Sequence, residues 1–169
     1  MRSLSISTAK EISEYMCDMG YDTSYKYDLY AQHMEYALYH SEIIYTHSHG
    51  LTNGTGICLM NDIDLKSTNI DAEKMSGVEL AYISACYAGG DFCETLYDTG
   101  NAQCVVGFTT PISASNDSNG IHYFHKRFFY HLYRGKSAAQ AKNSALTDTY
   151  NQYQSYFGAE NIEIHGYYS

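Results

Sequence analysis

The chain is short of several residue types, and each shortage argues against a class of protein. Its 169 residues include one proline, no tryptophan, and ten lysines and arginines against nineteen aspartates and glutamates. The resulting net charge of −9 argues against nucleic acid or an anionic membrane surface as the main partner. No apolar run approaches the roughly 18 residues that a membrane span needs. We therefore expect a globular protein that binds neither.

Cysteine is present, but not in the patterns of a disulfide framework or a zinc site. The five cysteines are an odd number, and none belongs to a C-x-x-C pair. The N-terminus has no apolar signal-peptide core, which favours a cytoplasmic location. We expect most of these cysteines to be small buried hydrophobic residues, which leaves room for one functional thiol.

What is present is an alternation of helical and strand patterns. Helices are predicted after Thr8, Asp28 and Ser137, over 91–97, and after Asp117 or Ser118. Strands are predicted over 21–27, 41–46, 78–84, 103–108 and 162–164, with a hairpin beginning at 56–60. The pattern predicts a three-layer α/β/α sandwich with a mostly parallel sheet, in a single domain over residues 1–169. Three histidines of the helix after residue 118 are expected at the surface or an interface, namely His122, His125 and His131.

Two apolar runs end on a reactive side chain that glycine soon follows. The run over 42–46 leads into His47-Ser48-His49-Gly50, and the run over 78–84 leads into Ala85-Cys86-Tyr87-Ala88-Gly89-Gly90. Because the carboxyl ends of adjacent parallel strands meet at one edge of a sheet, His49 and Cys86 are expected to lie together. A thiol beside an imidazole is a nucleophile with a proton-transfer partner. The other four cysteines lack this context, and we interpret them as structural.

The pairs His49-Gly50 and Ala85-Cys86, each after an apolar block, resemble the signature of the caspase-like clan of cysteine peptidases. The later strand over 105–108, the aromatic helix, and Gly135-Lys136-Ser137 before an alanine-rich helix are similar to CHAT and gingipain-type members. The resemblance runs from about Thr8 to the end and implies a caspase-like fold. Those families place a sheet strand before the first helix, where only residues 2–6 are available here. We expect that strand to be short or absent, or the chain to be a fragment of a longer protein.

The resemblance implies a cysteine endopeptidase that cleaves a polypeptide substrate through a Cys86–His49 dyad and an acyl-enzyme, with no cofactor. Cys86 would be the nucleophile and His49 the general acid and base. The backbone amides of Gly50 and Cys86 would stabilise the oxyanion.

The resemblance also implies where the substrate residue before the cut would bind. The residues implied for this pocket are Ser84, Thr109, Thr110 and Asp117. Asp117 would pair with a basic substrate side chain, or it would instead cap the following helix.

Three other interpretations stay open. A zinc site could use His47 and His49, which point the same way if both lie in one extended strand, but the sequence nominates no third ligand and we expect no metal. A catalytically inactive caspase-like regulatory or interaction module would have the same fold without turnover. A flavodoxin-like binding domain is disfavoured because the chain has no glycine-rich phosphate loop.

Overall fold

The computed structural model describes residues 2–60, 64–71, 74–75, 77–112 and 118–168. Within them the helices are α1 (Arg2–Asp18), α2 (Ala31–His40), α3 (Asp91–Asp98), α4 (Ser118–Tyr133) and α5 (Ala138–Tyr153). The strands are β1 (Ile43–His47), β2 (His49–Gly50), β3 (Gly56–Cys58), β4 (Asp64–Lys66), β5 (Leu80–Ser84), β6 (Cys104–Phe108) and β7 (Ile162–Gly166).

Residue contacts divide the chain into two compact units. The helical unit contains the residues up to Tyr27 together with Ile112–Glu160, and the sheet unit contains Asp28–Pro111 together with Asn161–Tyr168. Each unit is therefore built from segments that are distant in the sequence. The single peptidase domain over 1–169 stays a prediction.

The sheet unit contains two sheets. The main sheet has the order β1-β5-β6-β7, in which β1, β5 and β6 are parallel and β7 is antiparallel to β6. The small sheet has the order β2-β3-β4 and is antiparallel throughout. This confirms the predicted mixed α/β class with a mostly parallel sheet, and also the hairpin predicted near residue 56.

The central strands are almost entirely apolar because both of their faces are covered. Every residue of β5 and β6 is buried, which is the usual pattern of inner parallel strands. The core beside them also contains side chains from α2 and α3 that exclude solvent completely, among them Leu38, Phe92 and Leu96. These strands therefore have fixed positions, and the loops that follow them leave from a rigid edge.

The helical unit confirms the two predicted C-terminal helices. Helix α4 buries the apolar stripe of Ile121, Phe124, Phe128 and Leu132. Helix α5 buries its small residues Ala138, Ala141 and Ala145, and a capping box formed by Ser137 and Gln140 begins it. Ser137 accepts a hydrogen bond from the backbone N–H of Gln140 at 3.4 Å, as its capping role requires.

Three element boundaries were predicted wrongly. Helix α1 begins at Arg2, because Thr8 does not cap it: its hydroxyl is buried and lies 3.1 Å from Nδ1 of His122. Residues 2–6 are thus helical and supply no sheet strand. Residues 21–27 form no strand, and α2 begins after Tyr30 because Asp28, with φ of 61°, lacks the extended backbone of an N-cap.

The histidines of α4 are not at the surface. His125 is completely buried, His122 is 3% exposed and His131 is 8% exposed. The ring of His122 lies against the Thr8 hydroxyl, and Nε2 of His131 lies 2.9 Å from the Asp148 carboxylate. Polar rings can lie in this buried stripe because their nitrogens have hydrogen-bond partners. A sequence pattern alone does not reveal these partners.

Candidate functional site

The candidate site lies at the carboxyl end of the main sheet. Strands β1 and β5 are parallel neighbours, with Thr46 opposite Ile83 and His47 opposite Ser84. The segments that contain His49 and Cys86 therefore leave the sheet at the same end. The structure thus confirms that the two predicted strands are parallel neighbours, while the dyad of His49 and Cys86 stays a prediction.

Gly50 packs directly against the peptide of Cys86. A Cβ placed on Gly50 would lie 2.6 Å from the carbonyl carbon and 2.9 Å from the nitrogen of Cys86, and it would overlap the carbonyl oxygen. Real Cβ atoms do not approach backbone this closely, so only glycine fits. Strand β2 is thereby held against the segment that contains the thiol, and His49 is the next residue along it.

The local structure around His49 differs from the expected loop. His49 and Gly50 form β2, whose register places them opposite Cys58 and Ile57 of β3. His49 is solvent exposed and Cys86 is half-buried. Both side chains are therefore accessible from the solvent.

The cysteines differ in their capacity to react. None of the five forms a disulfide, and all five lie in the described part of the chain. Burial, with a smaller effect from the charge of Glu163, raises the pKa of the Cys93 thiol, and burial raises the pKa of Cys104 to about 12. Both are therefore protonated at neutral pH and poor nucleophiles. Cys17 is exposed but lies in α1, with no site residue beside it in the sequence.

The turn after Cys86 has an unusual backbone. Tyr87 has a φ of 61°, which is uncommon for a residue with a bulky side chain. Its N–H donates to the carbonyl oxygen of Thr110 at 3.4 Å, and its carbonyl oxygen accepts from the Gly90 N–H at 3.4 Å. Such conformations persist where surrounding structure fixes them, and they are enriched at functional sites. The sequence gives no signal for this feature, because tyrosine is not a residue that favours left-handed backbone.

Ser84 lies beside the site but is completely buried. Its Oγ lies 2.8 Å from Nδ1 of His47, and its carbonyl oxygen accepts from the Ser48 N–H at 3.0 Å. The hydroxyl of Ser48 in turn donates to the carbonyl oxygen of Cys58. These bonds connect the end of β1 to β5 and to the small sheet. Ser84, predicted as a substrate-binding residue, is therefore enclosed at the end of β5, with its hydroxyl against His47.

A shallow depression of about 210 Å³ opens beside the turn. Its lining comes from 52–54, from Tyr87, Gly90 and Asp91, and from Thr109 after β6. Thr109, predicted as a substrate-binding residue, is thus in this lining, and its Oγ1 donates to the Asn161 carbonyl oxygen at 2.9 Å. Thr110 contributes its carbonyl to Tyr87, and Asp117 lies outside the described residues.

The zinc alternative loses its geometric premise. His47 belongs to β1 and His49 to β2, so the two do not alternate along one extended strand. Across the described ranges, no group of three His, Cys, Asp or Glu side chains is arranged to hold a metal ion.

In the same ranges no helix combines the length and apolarity that crossing a membrane requires.

The site also includes a residue to which sequence analysis gave no role. Nε2 of His165, in β7, lies 3.0 Å from the carbonyl oxygen of Gly89 in the turn after Cys86. The two residues are 76 positions apart in the sequence. Only the antiparallel pairing of β7 with β6 brings them together.

Comparisons with known proteins do not identify the chain. No protein-family model matches its sequence, and no curated protein matches it. The resemblance to the caspase-like clan therefore stays a prediction. The packing of Gly50 on Cys86 and the pairing of β1 with β5 are the basis for the function proposed next.

Proposed function

We propose that this chain is a cysteine endopeptidase with a caspase-like three-layer fold, in which Cys86 and His49 form the catalytic dyad. One observation carries the proposal: Gly50 packs on the Cys86 peptide, so the residue after His49 is in contact with the residue proposed as the nucleophile. A structural cysteine has no need of this arrangement. The parallel pairing of β1 and β5 supports the proposal, because both segments leave from one edge of the sheet.

The proposed chemistry is acyl transfer to sulfur. Cys86 gives its proton to His49, and Sγ attacks the scissile carbonyl carbon to form a tetrahedral adduct. The adduct collapses as the carbon–nitrogen bond breaks, and His49 returns the proton to the departing amine. His49 then takes a proton from water as the water oxygen attacks the thioester carbon. The carbon–sulfur bond breaks, the acid is released, and His49 returns the proton to Sγ of Cys86. The backbone N–H groups of Gly50 and Cys86 are the proposed donors to the oxyanion.

The depression beside Tyr87 is the proposed position of the substrate side chain before the cut. Among the described residues that line it, Asp91 alone has a charge. Its carboxylate accepts a hydrogen bond from the Ser67 hydroxyl at 2.9 Å. Peptides with Arg or Lys before the scissile bond are therefore the first to test, followed by those with Asn or Asp.

The second candidate is an inactive caspase-like module that acts by binding. One observation favours it: residues 2–6 are helical, so the described main sheet has no strand before α1. The inactive module assumes that, without this strand, the sheet holds the two dyad residues in the wrong positions. The two candidates have the same geometry and differ only in whether the chain turns over a substrate.

The experiment compares the wild-type chain with three variants on this peptide panel: Cys86→Ala, His49→Ala and the double variant. We expect cleavage by the wild type, no cleavage by Cys86→Ala, and a kcat about 10²–10⁴-fold lower in His49→Ala. The double variant should be no worse than Cys86→Ala, because the two residues act as one unit. Cys17→Ala, which removes an exposed thiol, is the matched control and should keep full activity.

Two results would reject the peptidase. One is cleavage that persists in folded Cys86→Ala. The other is a wild-type chain that cuts no peptide while folded Cys86→Ala still performs the cellular role, which would establish the module.

A further inference from the structure

The turn that contains Cys86 is anchored by a side chain from the far edge of the sheet. The Nε2–H of His165 donates to the carbonyl oxygen of Gly89 at 3.0 Å. A carbonyl oxygen only accepts, so Nε2 must be the protonated nitrogen in this bond. His165 lies in β7, opposite Val105 of β6, and β7 is two strands away from β5.

Gly89 is also fixed against β6. Its N–H donates to the carbonyl oxygen of Phe108 at 2.9 Å. A Cβ on Gly89 would lie 2.8 Å from the carbonyl carbon of Phe108 and 2.9 Å from that of Gly107. Strand β6 therefore satisfies the N–H of Gly89, and His165 satisfies its C=O.

Both of these bonds are shorter than the two backbone bonds that Tyr87 makes. Tyr87, between Cys86 and Gly89, has its left-handed φ, and the backbone bonds at its own N–H and C=O are long, at 3.4 Å each. A strained residue keeps its conformation only if its neighbours impose it. Gly89, three residues after Cys86, is such a neighbour, because both its N–H and its C=O form short hydrogen bonds to the sheet.

The imidazole of His165 is itself oriented. The ring of Tyr97, in α3, lies with its centroid 6.2 Å from the centroid of His165 and is tilted by 34°. Helix α3 begins at Asp91, immediately after the turn. His165 therefore contacts both the turn and the helix that follows it.

We propose that His165 is a positioning residue for Cys86. Through Gly89 it fixes the turn that presents the thiol, without touching the thiol or the substrate. This inference rests on the proposed function, since positioning matters only if Cys86 reacts. A small displacement of a reacting atom is enough to slow such a reaction by about 10²-fold.

The test uses the full chain and exchanges only the hydrogen-bond donor. His165→Ala removes it, whereas His165→Gln places an amide N–H where Nε2 was. His165→Asn retains an amide that is too short to reach Gly89. Glu163→Ala is the matched control, because Glu163 is an exposed residue two positions earlier in β7 and points to the same side of the sheet.

Three quantities are measured in each variant: the kinetic constants, the rate of Cys86 alkylation by iodoacetamide, and amide hydrogen exchange over residues 86–90. Peptide mapping assigns the alkylation, and exposed Cys17 is the internal reference. We expect His165→Ala and His165→Asn to lower kcat about 10–100-fold with little change in KM. Both should exchange faster over the turn, and Cys86 alkylation should change while Cys17 alkylation does not. His165→Gln should restore most of each value, and Glu163→Ala should match the wild type.

The proposal would be overturned if His165→Ala and His165→Gln behaved equally. It would also be overturned if His165→Ala left amide hydrogen exchange over residues 86–90 unchanged. If His165→Ala does not fold, His165→Asn takes its place in this comparison. Equal behaviour of the Asn and Gln variants would then overturn the proposal. If the wild type cuts no peptide, the proposed function has failed, but the positioning role is still tested. Faster exchange with altered Cys86 alkylation would then support it, and no change in either would reject it.

Discussion

At the scale of single residues, the tightest constraint at the site is on a residue without a side chain. Gly50 has no space for a methyl group, because the backbone of Cys86 occupies the position. Gly50→Ala should therefore lower the free energy of unfolding by about 1–3 kcal/mol, the usual cost of overpacking. It should also reduce turnover, since β2 must move away from Cys86. Urea denaturation and peptide cleavage measure the two effects.

Gly77→Ala is the matched control for this substitution. Nothing lies within 4 Å of a Cβ placed on Gly77, so the change should stay within about 0.5 kcal/mol. If Gly50→Ala were as stable and as active as Gly77→Ala, β2 would not be held against Cys86. The basis for the dyad would then be lost.

The residue scale also shows where sequence reasoning stops. His49 and Cys86 were proposed from the sequence because each follows an apolar run, which is a local signal. Tyr87 and His165 were missed because their roles depend on contacts made after folding. Tyr87 has its left-handed φ, and His165 reaches Gly89 only through strand pairing. The hydrophobic periodicity of the sequence indicates neither of these contacts.

At the scale of elements, burial decided which predictions succeeded. Strands β5 and β6 were predicted because covered faces require continuous apolar sequence. Helix α4 was predicted from an aromatic stripe, and helix α5 was predicted from Ser137 at its start and from a narrow face of alanines. Helix α1 was misplaced because Thr8 forms its hydrogen bond with α4, and β2 was missed because two residues have no readable pattern.

The bond between α1 and α4 predicts how stability depends on pH. Burial, together with the charge of Lys126, lowers the pKa of His122 below its usual 6.5. Above pH 6.5 this histidine is neutral in the folded and the unfolded chain, and its contribution to stability is complete. As the pH falls below 6.5, the unfolded chain binds a proton that the folded chain does not, so the free energy of unfolding decreases. Burial of His131, which outweighs its bond to Asp148, lowers its pKa and acts in the same direction.

The measurement is the free energy of unfolding at pH 5 and at pH 7, for the wild type and for His122→Gln. We expect the wild type to be less stable at pH 5, and the variant to show a smaller difference because one titrating group is gone. His40→Gln, which replaces an exposed histidine of α2, should keep the wild-type difference. An equal difference in all three proteins would contradict the burial of His122 as a neutral ring.

At the scale of the whole molecule, the proposed site lies within one unit. His49, Cys86, the depression and His165 all belong to the sheet unit, which the chain completes only with its last strand, β7. The alternation of helical and strand patterns was enough to predict the mixed α/β class and the mostly parallel sheet. The family stays a prediction, because no protein-family model and no curated protein matches the sequence.

The most direct test of the account is to find which cysteine reacts with a substrate-like electrophile. The full chain is treated with a peptidyl chloromethyl ketone that has Arg or Lys next to the reactive group, then digested, and the modified residue is located by mass spectrometry. The account predicts that Cys86 is modified before the more exposed Cys17, and that His49→Ala slows this modification. Modification of Cys17 first, with Cys86 unmodified in the folded protein, would contradict it.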